Sequence, residues 1–143
     1  MNEYTFSDIV VGMEEFFSFP VTQKKQDMFT SLTGDVNPLH CNPEYADSID
    51  DKINDGHGVF VYGMLTASLF STLAGVYLPG KYCMLQHIES TFIIPVRIGD
   101  ILTVCGRVIE KDSTFKRIRI KVVIKNQKDE RVCRGIIVAG IFC

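Results

Sequence analysis

The polar residues best suited to chemistry lie in one loop, Gly34-Asp35-Val36-Asn37-Pro38-Leu39-His40. Asp35 and His40 are five residues apart, and Pro38 bends the chain between them. A carboxylate and an imidazole placed in this way can converge on one water molecule, take a proton from it and return a proton to carbon. The spacing alone leaves a plainer interpretation open, because an Asp in a turn is commonly a local cap and a loop His is commonly solvated.

Addition of water to a carbon–carbon double bond conjugated to a thioester also needs a group that stabilises the developing enolate oxygen. The first N–H groups of a buried helix suit this task, since they have no intrahelical acceptor and lie at the positive end of the helix dipole. Gly63 is well placed to offer such an N–H, because it has no side chain to obstruct the approach of a substrate.

The elements around the loop can be read from hydrophobic periodicity. Segment 21–33 predicts a short amphipathic helix, and Gly34 follows where a C-terminal cap favours positive φ. The apolar side chains predicted on one face of this helix are Val21, Met28, Phe29 and Leu32. The loop that follows is rich in Gly, Asn, Asp and Pro, which predicts turns rather than a regular element. One helical turn is expected to begin at Pro43.

Segment 59–80 contains no charged residue and is long enough to span a membrane. Its Gly, Ser and Thr residues favour the other interpretation, a buried helix at the centre of a soluble fold. Small side chains fall on one stripe of this helix and would let a sheet approach closely: Gly63, Ala67, Ser71 and Ala74. We therefore expect a buried helix and no membrane association.

Period-two patterns after Gly80 predict β-strands over residues 82–94, 101–110, 114–125 and 131–142. In the third predicted strand, basic residues at 117, 119 and 121 alternate with apolar residues at 118, 120 and 122. This alternation predicts one solvent-exposed face and one buried face. These patterns indicate an α+β fold in which a curved antiparallel sheet wraps around a long buried central helix. No linker or repeat divides the chain, so we expect one domain over residues 1–143.

The net charge of −2 conceals an asymmetry along the chain. The first 60 residues carry 3 Lys/Arg and 11 Asp/Glu, whereas residues 61–143 carry 12 and 6. The basic half suits an anionic ligand such as a phosphopantetheine or nucleotide phosphate, and it equally suits the solvated face of a sheet. Nucleic acid is not expected as a partner, since no binding motif or interleaved exposed aromatics accompany the basic residues.

Five cysteines are scattered through the chain without CxxC spacing, at positions 41, 83, 105, 133 and 143. They predict reduced, mostly buried thiols in a cytoplasmic protein, rather than a disulfide framework or a metal site. The N-terminal residues lack the basic region and apolar run of a secretory signal. We therefore expect no metal and a cytoplasmic location.

Three stretches match the sequence blocks of one family in the correct order. They are FTSLTGDVNPLHCNPEYA (29–46), YGMLTASLFSTLAG (62–75) and STFIIPVRIGD (90–100). Together they resemble the hydratase signature, the following helix and the later turn of the MaoC-like, (R)-specific enoyl-CoA hydratase family. The resemblance covers most of residues 20–110.

This resemblance implies a hot-dog fold, a homodimer and reversible hydration of trans-2-enoyl thioesters to (R)-3-hydroxyacyl thioesters. The substrate would be carried by coenzyme A or by an acyl carrier protein, and no metal or redox cofactor is implied. Asp35 and His40 correspond to the catalytic dyad, and Gly63 to the residue whose backbone N–H binds the thioester carbonyl. The supporting positions are Asn37, expected to shape the loop, Ser71 and Tyr62, and the acyl-pocket positions are Ala74 and Val138.

The chain departs from the family pattern in two places. Tyr62 stands where the family usually has His, and the segment from Ser48 to Phe60, which contains His57, is longer than in compact members. His57 is interpreted as a flexible-loop residue. Three alternatives remain open: a 3-hydroxyacyl-carrier-protein dehydratase, a thioesterase, against which the Asp-x-Asn-Pro-x-His block argues, and a non-catalytic acyl-thioester-binding hot-dog protein.

Overall fold

A computed structural model of the chain describes residues 1–50 and 58–143. The described strands are β1 (Glu14–Pro20), β2 (Cys83–Phe92), β3 (Ile101–Asp112), β4 (Arg117–Lys125) and β5 (Arg131–Ile141). The described α-helices are α1 (Gln23–Thr33), α2 (Pro38–Cys41), α3 (Pro43–Asp50) and α4 (Gly63–Thr72), and α4 continues as a π-helical segment over Leu73–Tyr77.

The strands form one antiparallel sheet in the order β1-β3-β4-β5-β2. All four predicted strands are present, and the predicted alternation in β4 is confirmed. Ile118, Ile120 and Val122 are buried, whereas the basic residues between them are exposed. The first strand, β1, was not predicted. Burial alternates along β1, with Phe17 buried and Phe16 69% exposed. The sequence itself does not alternate, because both of these neighbours are phenylalanine, so the period-two signal of a half-buried strand is missing.

The helix α4 and its π-helical continuation pack against the sheet and complete the core, which confirms the predicted α+β architecture with a central helix. The contact between α4 and the sheet differs in part from the prediction. Large side chains of the helix meet glycines of the strands, and a Cβ added at Gly106 would lie 2.5 Å from Leu73 Cδ2. Ser71, predicted to lie on the stripe facing the sheet, is exposed. Ala67 and Ala74 of the predicted stripe are buried, so the helix keeps part of that stripe and the strands add glycines.

The predicted helix α1 ends as expected, because Gly34 adopts a left-handed conformation with φ of 72° and its N–H donates to Thr30 O. The predicted buried face is half right, since Val21 is buried and Phe29 is partly buried against the core. Met28 and Leu32 are exposed, at 61% and 82%, and the buried residue of the helix is Gln26. The Gln26 amide faces inward, where two backbone carbonyls accept hydrogen bonds from it.

The loop after α1 is more regular than predicted. The short helix α2 begins at Pro38, and the Asn37 side chain caps it by accepting from Leu39 N–H at 2.9 Å. The helix α3 begins at Pro43 as predicted but extends beyond one turn, to Asp50. His57 and most of the longer predicted loop lie outside the described residues.

The basic residues of the second half lie largely on the exposed face of the sheet. Several form exposed ion pairs with acidic neighbours: Arg107–Glu14, Arg117–Asp112, Arg119–Glu110 and Lys125–Asp129. This arrangement favours the solvated-face interpretation of the basic half over a dedicated anion site. Within the described part of the chain, no helix has both the length and the apolar character needed to cross a membrane.

Candidate active site

His40 lies in α2 with its imidazole partly buried and oriented by the main chain. His40 Nδ1 is 2.8 Å from Phe60 O. A carbonyl oxygen only accepts hydrogen bonds, so Nδ1 carries the proton and Nε2 of the neutral ring keeps a free lone pair. The ring also stacks on Tyr62, with centroids 4.1 Å apart and planes tilted by 35°. His40 is therefore held in the form that can accept a proton at Nε2.

The His40 ring borders a cavity of about 340 Å³ that also reaches the start of α4. The lining residues are Leu39, His40, Phe60, Val61, Gly63, Thr66, Phe92, Ile93, Ile94, Pro95, Val96 and Val132. Among the described residues, the lining is predominantly apolar and includes no Lys, Arg, Asp or Glu. On the side of α1, His40 and Cys41 border a second, more polar cavity of about 440 Å³.

Gly63 is the first residue of α4, so its N–H has no acceptor within the helix and lies at the positive end of the helix dipole. The structure brings Gly63 and His40 to the same cavity. The Phe92 ring covers the glycine, since a Cβ added at Gly63 would lie 3.2 Å from Phe92 Cζ. A side chain at this position would crowd the Phe92 ring, so glycine suits this contact.

Asp35 lies in the exposed turn between α1 and α2. Its Oδ1 accepts from Asn37 N–H at 3.1 Å, and its own N–H donates to Thr33 Oγ1 at 3.3 Å. The bond from Asn37 uses Oδ1, so Oδ2 is the carboxylate oxygen that is not engaged by Asn37. The lining of the His40 cavity does not include Asp35. Asp35 is nevertheless tied to the site through its backbone carbonyl, which accepts from the Tyr62 hydroxyl.

Tyr62 connects the elements that carry the candidate residues. It is 2% exposed, and its Oη contacts Thr30 Oγ1 at 2.8 Å and Cys41 Sγ at 3.5 Å. The Tyr62 hydroxyl donates its proton to Asp35 O, and the Thr30 hydroxyl that it contacts donates to Gln26 O. One side chain thus joins α1, the Asp35 turn, α2 and the start of α4.

Burial and, after it, the neighbouring Cys41 thiol raise the pKa of the Tyr62 hydroxyl above its ordinary value. The hydroxyl therefore stays protonated throughout the neutral range and remains a hydrogen-bond donor. This suits Tyr62 to holding the loop rather than to exchanging protons with a substrate.

Sequence reasoning missed two polar residues of the site. Gln26 is 1% exposed, and its Nε2 donates to His40 O at 3.2 Å and to Phe60 O at 3.1 Å. Thr66 is 2% exposed and lines the cavity one turn after Gly63. The spacing from Gly63 would have indicated Thr66, whereas no local signal shows that Gln26 faces inward.

Three of the predicted positions are not brought to the His40 cavity. Ser71 lies on the exposed side of α4, Ala74 is buried in the π-helical segment, and Val138 lies half-buried on β5 beside Arg119. The cavity is instead lined by residues of β2, the segment after it and the start of β5. The acyl-pocket roles of Ala74 and Val138 stay predictions.

The five cysteines are free. The sequence predicted that most of them are buried, and fewer are buried than predicted. Cys133 is buried and Cys83 and Cys105 are partly so, whereas Cys41 and Cys143 are exposed. Among the described residues, no three His, Cys, Asp or Glu side chains come together as metal ligands.

Comparison with known proteins places this site in a family. The model of the MaoC like domain matches residues 12–131. The chain is 33% identical over 130 residues to an (R)-specific enoyl-CoA hydratase of Rhodospirillum rubrum, covering 85% of this chain and 87% of that protein. It is 31% identical over 115 residues to a 3-hydroxybutyryl-CoA dehydratase of Methylorubrum extorquens, covering 80% of this chain and 70% of that protein.

Among solved structures, an unliganded R-hydratase of Pseudomonas aeruginosa superposes with a TM-score of 0.86 at 25% identity, covering 96% of this chain and 84% of that one. The fold is therefore the hot-dog fold, as the resemblance implied. Fold and site together define a hydro-lyase, the class of hydratases and dehydratases. The chain belongs to the MaoC-like domain family.

Proposed function

We propose that the chain catalyses the reversible addition of water to trans-2-enoyl thioesters, giving (R)-3-hydroxyacyl thioesters. The observation that carries this proposal is the cavity that His40 and Gly63 share, since His40 is bound through Nδ1 and Gly63 is the first residue of a buried helix. The names of the relatives, an (R)-specific enoyl-CoA hydratase and a 3-hydroxybutyryl-CoA dehydratase, support the same reaction.

In the proposed mechanism Asp35 and His40 polarise a water molecule, and the dyad takes its proton. The water oxygen forms a bond to C3 of the enoyl group, and the electron pair of the double bond moves through C2 to the thioester oxygen. The resulting enolate collapses as the dyad returns a proton to C2. His40 is prepared for the first step, because Phe60 O binds the proton on Nδ1 and leaves Nε2 to act as the base.

The negative charge on the thioester oxygen is proposed to lie against the Gly63 N–H. This N–H makes no hydrogen bond within the helix, so no such bond has to break when it binds the oxygen. The dipole of α4 adds to its attraction for an anion. The apolar lining of the cavity strengthens the interaction, because electrostatic attraction is greater in a medium of low dielectric constant. The mechanism uses water, side chains and one backbone group, and it needs no cofactor beyond the substrate's own carrier.

We place the acyl chain in the apolar cavity that His40 and Gly63 share. The side chains nearest to the Gly63 end are Thr66 and Phe92, and apolar residues of the segment after β2 continue the lining. Coenzyme A is the proposed carrier, because it is the carrier in the names of both relatives. An acyl carrier protein presents the same phosphopantetheine arm and is the alternative. The free thiols fit the cytoplasm as the proposed location.

A homodimer is part of the proposal. The edge strand β2 exposes large apolar side chains: Met84, Leu85, Ile88 and Phe92. An open edge with such side chains is a surface for pairing or aggregation unless it is covered. A second copy of the chain would cover it, and it would do so close to the cavity, because Phe92 belongs to both.

The first experiment measures the loss of enoyl-thioester absorbance with crotonyl-CoA for the wild type, Asp35→Asn and His40→Asn. We expect activity in the wild type, and a fall in kcat of about 10²–10⁴-fold in each variant, as for loss of a general acid–base group. Asp129→Asn, in an exposed turn, is the matched control and keeps full activity. A wild type inactive on enoyl thioesters of both coenzyme A and carrier protein would exclude the proposed reaction.

A further inference from the structure

Gln26 is a buried polar side chain that bonds to the backbone of the proposed catalytic histidine. Among the described residues, few polar side chains are as deeply buried, and burying an amide is unfavourable unless hydrogen bonds replace those made to water. Both hydrogen bonds of Gln26 Nε2 go to backbone carbonyls, those of His40 and Phe60. These carbonyls lie 14 and 34 residues away along the chain, so the contact is wholly tertiary.

The two acceptors have a specific relation to the imidazole. One is the carbonyl of His40 itself, so Gln26 fixes the backbone from which the ring projects. The other is Phe60 O, which also accepts the proton of His40 Nδ1 at 2.8 Å. A single amide group therefore holds both the backbone of His40 and the atom that orients its ring.

The orientation of the Gln26 amide follows from chemistry. Only its NH₂ can face two carbonyl oxygens, since the reverse orientation would place three acceptors together. Oε1 is then left without a partner in the described part of the chain, which is unfavourable for a buried oxygen. An aliphatic side chain would fill the same space without an unpaired acceptor. The amide is thus better explained by what it holds than by packing.

We propose that Gln26 is a positioning residue that keeps His40 in the Nδ1–H tautomer. This inference rests on the proposed function, in which His40 Nε2 takes the proton from water. Without the Gln26 N–H groups, the hydrogen bond from Phe60 N–H to Leu39 O still joins the two segments, but Phe60 O loses one of its two donors and can shift away from the ring. The ring then loses its acceptor, and the proton moves to Nε2, where it blocks the base.

The test is Gln26→Met, which keeps the length of the side chain but cannot donate a hydrogen bond. We expect kcat to fall by about 10- to 100-fold with little change in KM, since misplacement of a catalytic group affects the chemical step. In ¹⁵N spectra of histidine-labelled protein, His40 is expected to shift from the Nδ1–H to the Nε2–H tautomer. The chain has only 3 histidines, so His40→Asn assigns the resonance.

Gln127→Met is the matched control, because the Gln127 amide also donates a hydrogen bond, to Asp100 Oδ1 at 2.8 Å, but on an exposed turn. It should change neither the tautomer nor kcat. A Gln26→Met protein with a lower Tm but with the wild-type tautomer and kcat would show a purely structural role. A wild-type His40 in the Nε2–H form would overturn the inference without any variant.

The spectroscopic readout separates this inference from the proposed function. A wild type that hydrates no enoyl thioester, but whose Nδ1–H tautomer is lost in Gln26→Met, would overturn the reaction and support the positioning role. An active wild type whose tautomer and kcat are unchanged in Gln26→Met would support the reaction and overturn the positioning role.

Discussion

At the residue scale, the site depends on which nitrogen of His40 carries the proton, and the main chain decides it. Phe60 O fixes the proton on Nδ1, and Tyr62 supports the other side of the ring by stacking. The tyrosine replaces the histidine that the family usually has at this position. Its hydroxyl reaches Asp35 O and Thr30, so one residue restrains both members of the proposed dyad.

The Tyr62 hydroxyl can be removed without removing the ring. We expect Tyr62→Phe to lower the free energy of unfolding by about 1–3 kcal/mol, because it leaves buried or partly buried acceptors without a donor. We also expect kcat to fall by roughly 10-fold as the Asp35 turn loosens. Urea denaturation and crotonyl-CoA hydration measure the two effects. Tyr45→Phe, at a 43% exposed tyrosine in α3, is the control and should change neither.

The cysteines offer a test of burial through pH. Burial raises the pKa of the Cys83 thiol to about 11, and burial also raises the pKa of Cys133. The thiolate is the reactive form, so both thiols are expected to react slowly at pH 8 and faster as the pH rises towards their pKa values. The exposed Cys41 and Cys143 should react first.

Alkylation followed by mass spectrometry of each cysteine peptide measures these rates. The chain unfolded in urea is the control, in which all five cysteines should react at similar rates. Equal rates for Cys41 and Cys83 in the folded protein would contradict the burial that the structure assigns to β2 and its neighbours.

At the scale of elements, the site is held by the turn between α1 and α2. The left-handed Gly34 ends α1 and sends the chain directly into Asp35. The Asn37 side chain then starts α2, which carries His40. These two caps set where the carboxylate and the imidazole leave their elements, so the loop is a positioned structure rather than a flexible connection.

Gly34→Ala tests this turn. Alanine in a left-handed conformation costs roughly 1–2 kcal/mol, so we expect a loss of stability of that size together with lower activity. Space is not the cause, since nothing lies within 4 Å of a Cβ added at Gly34. The control is Gly75→Ala, which also meets nothing within 4 Å but lies in helical backbone. It should be neutral or stabilising in urea denaturation, because alanine is the better helix former.

At the scale of the whole molecule, the two edges of the sheet differ. The edge strand β2 carries several large exposed apolar residues next to the cavity, whereas β1 at the opposite edge exposes Phe16. Cover by a second copy of the chain would bury the β2 edge and help to close the cavity at Phe92. Dimerisation and activity should then depend on each other.

Ile88→Lys introduces a charge in the middle of β2, where the side chain is 36% exposed. We expect it to shift the protein from dimer to monomer and to lower activity, because an unpaired lysine is unfavourable in a buried interface. Light scattering coupled to size-exclusion chromatography measures the mass. Phe16→Lys, on β1, is the matched control and should remain a dimer. A wild type that is monomeric at all concentrations would contradict this part of the proposal.

Much of the fold and part of the site follow from the sequence by itself. Periodicity is local, so it predicted four strands, the wet and buried faces of β4 and the buried central helix. The Gly34 cap was equally local, and the spaced motif selected His40 and Gly63, which the structure brings to one cavity. Periodicity and capping depend on residues a few positions apart, and the two site residues were identified from the family motif that contains them.

Tertiary structure alone decided which way α1 faces and what holds His40. The apolar pattern of α1 predicted Met28 and Leu32 inside, but the carbonyls of distant residues turn Gln26 inward instead. No pattern within the helix encodes acceptors that lie 34 residues away. The strand β1 was missed for a related reason, because its sequence places Phe16 and Phe17 side by side and the pairing with β3 decides that Phe17 is buried and Phe16 exposed. Contacts between distant segments thus set the details on which the proposed chemistry depends.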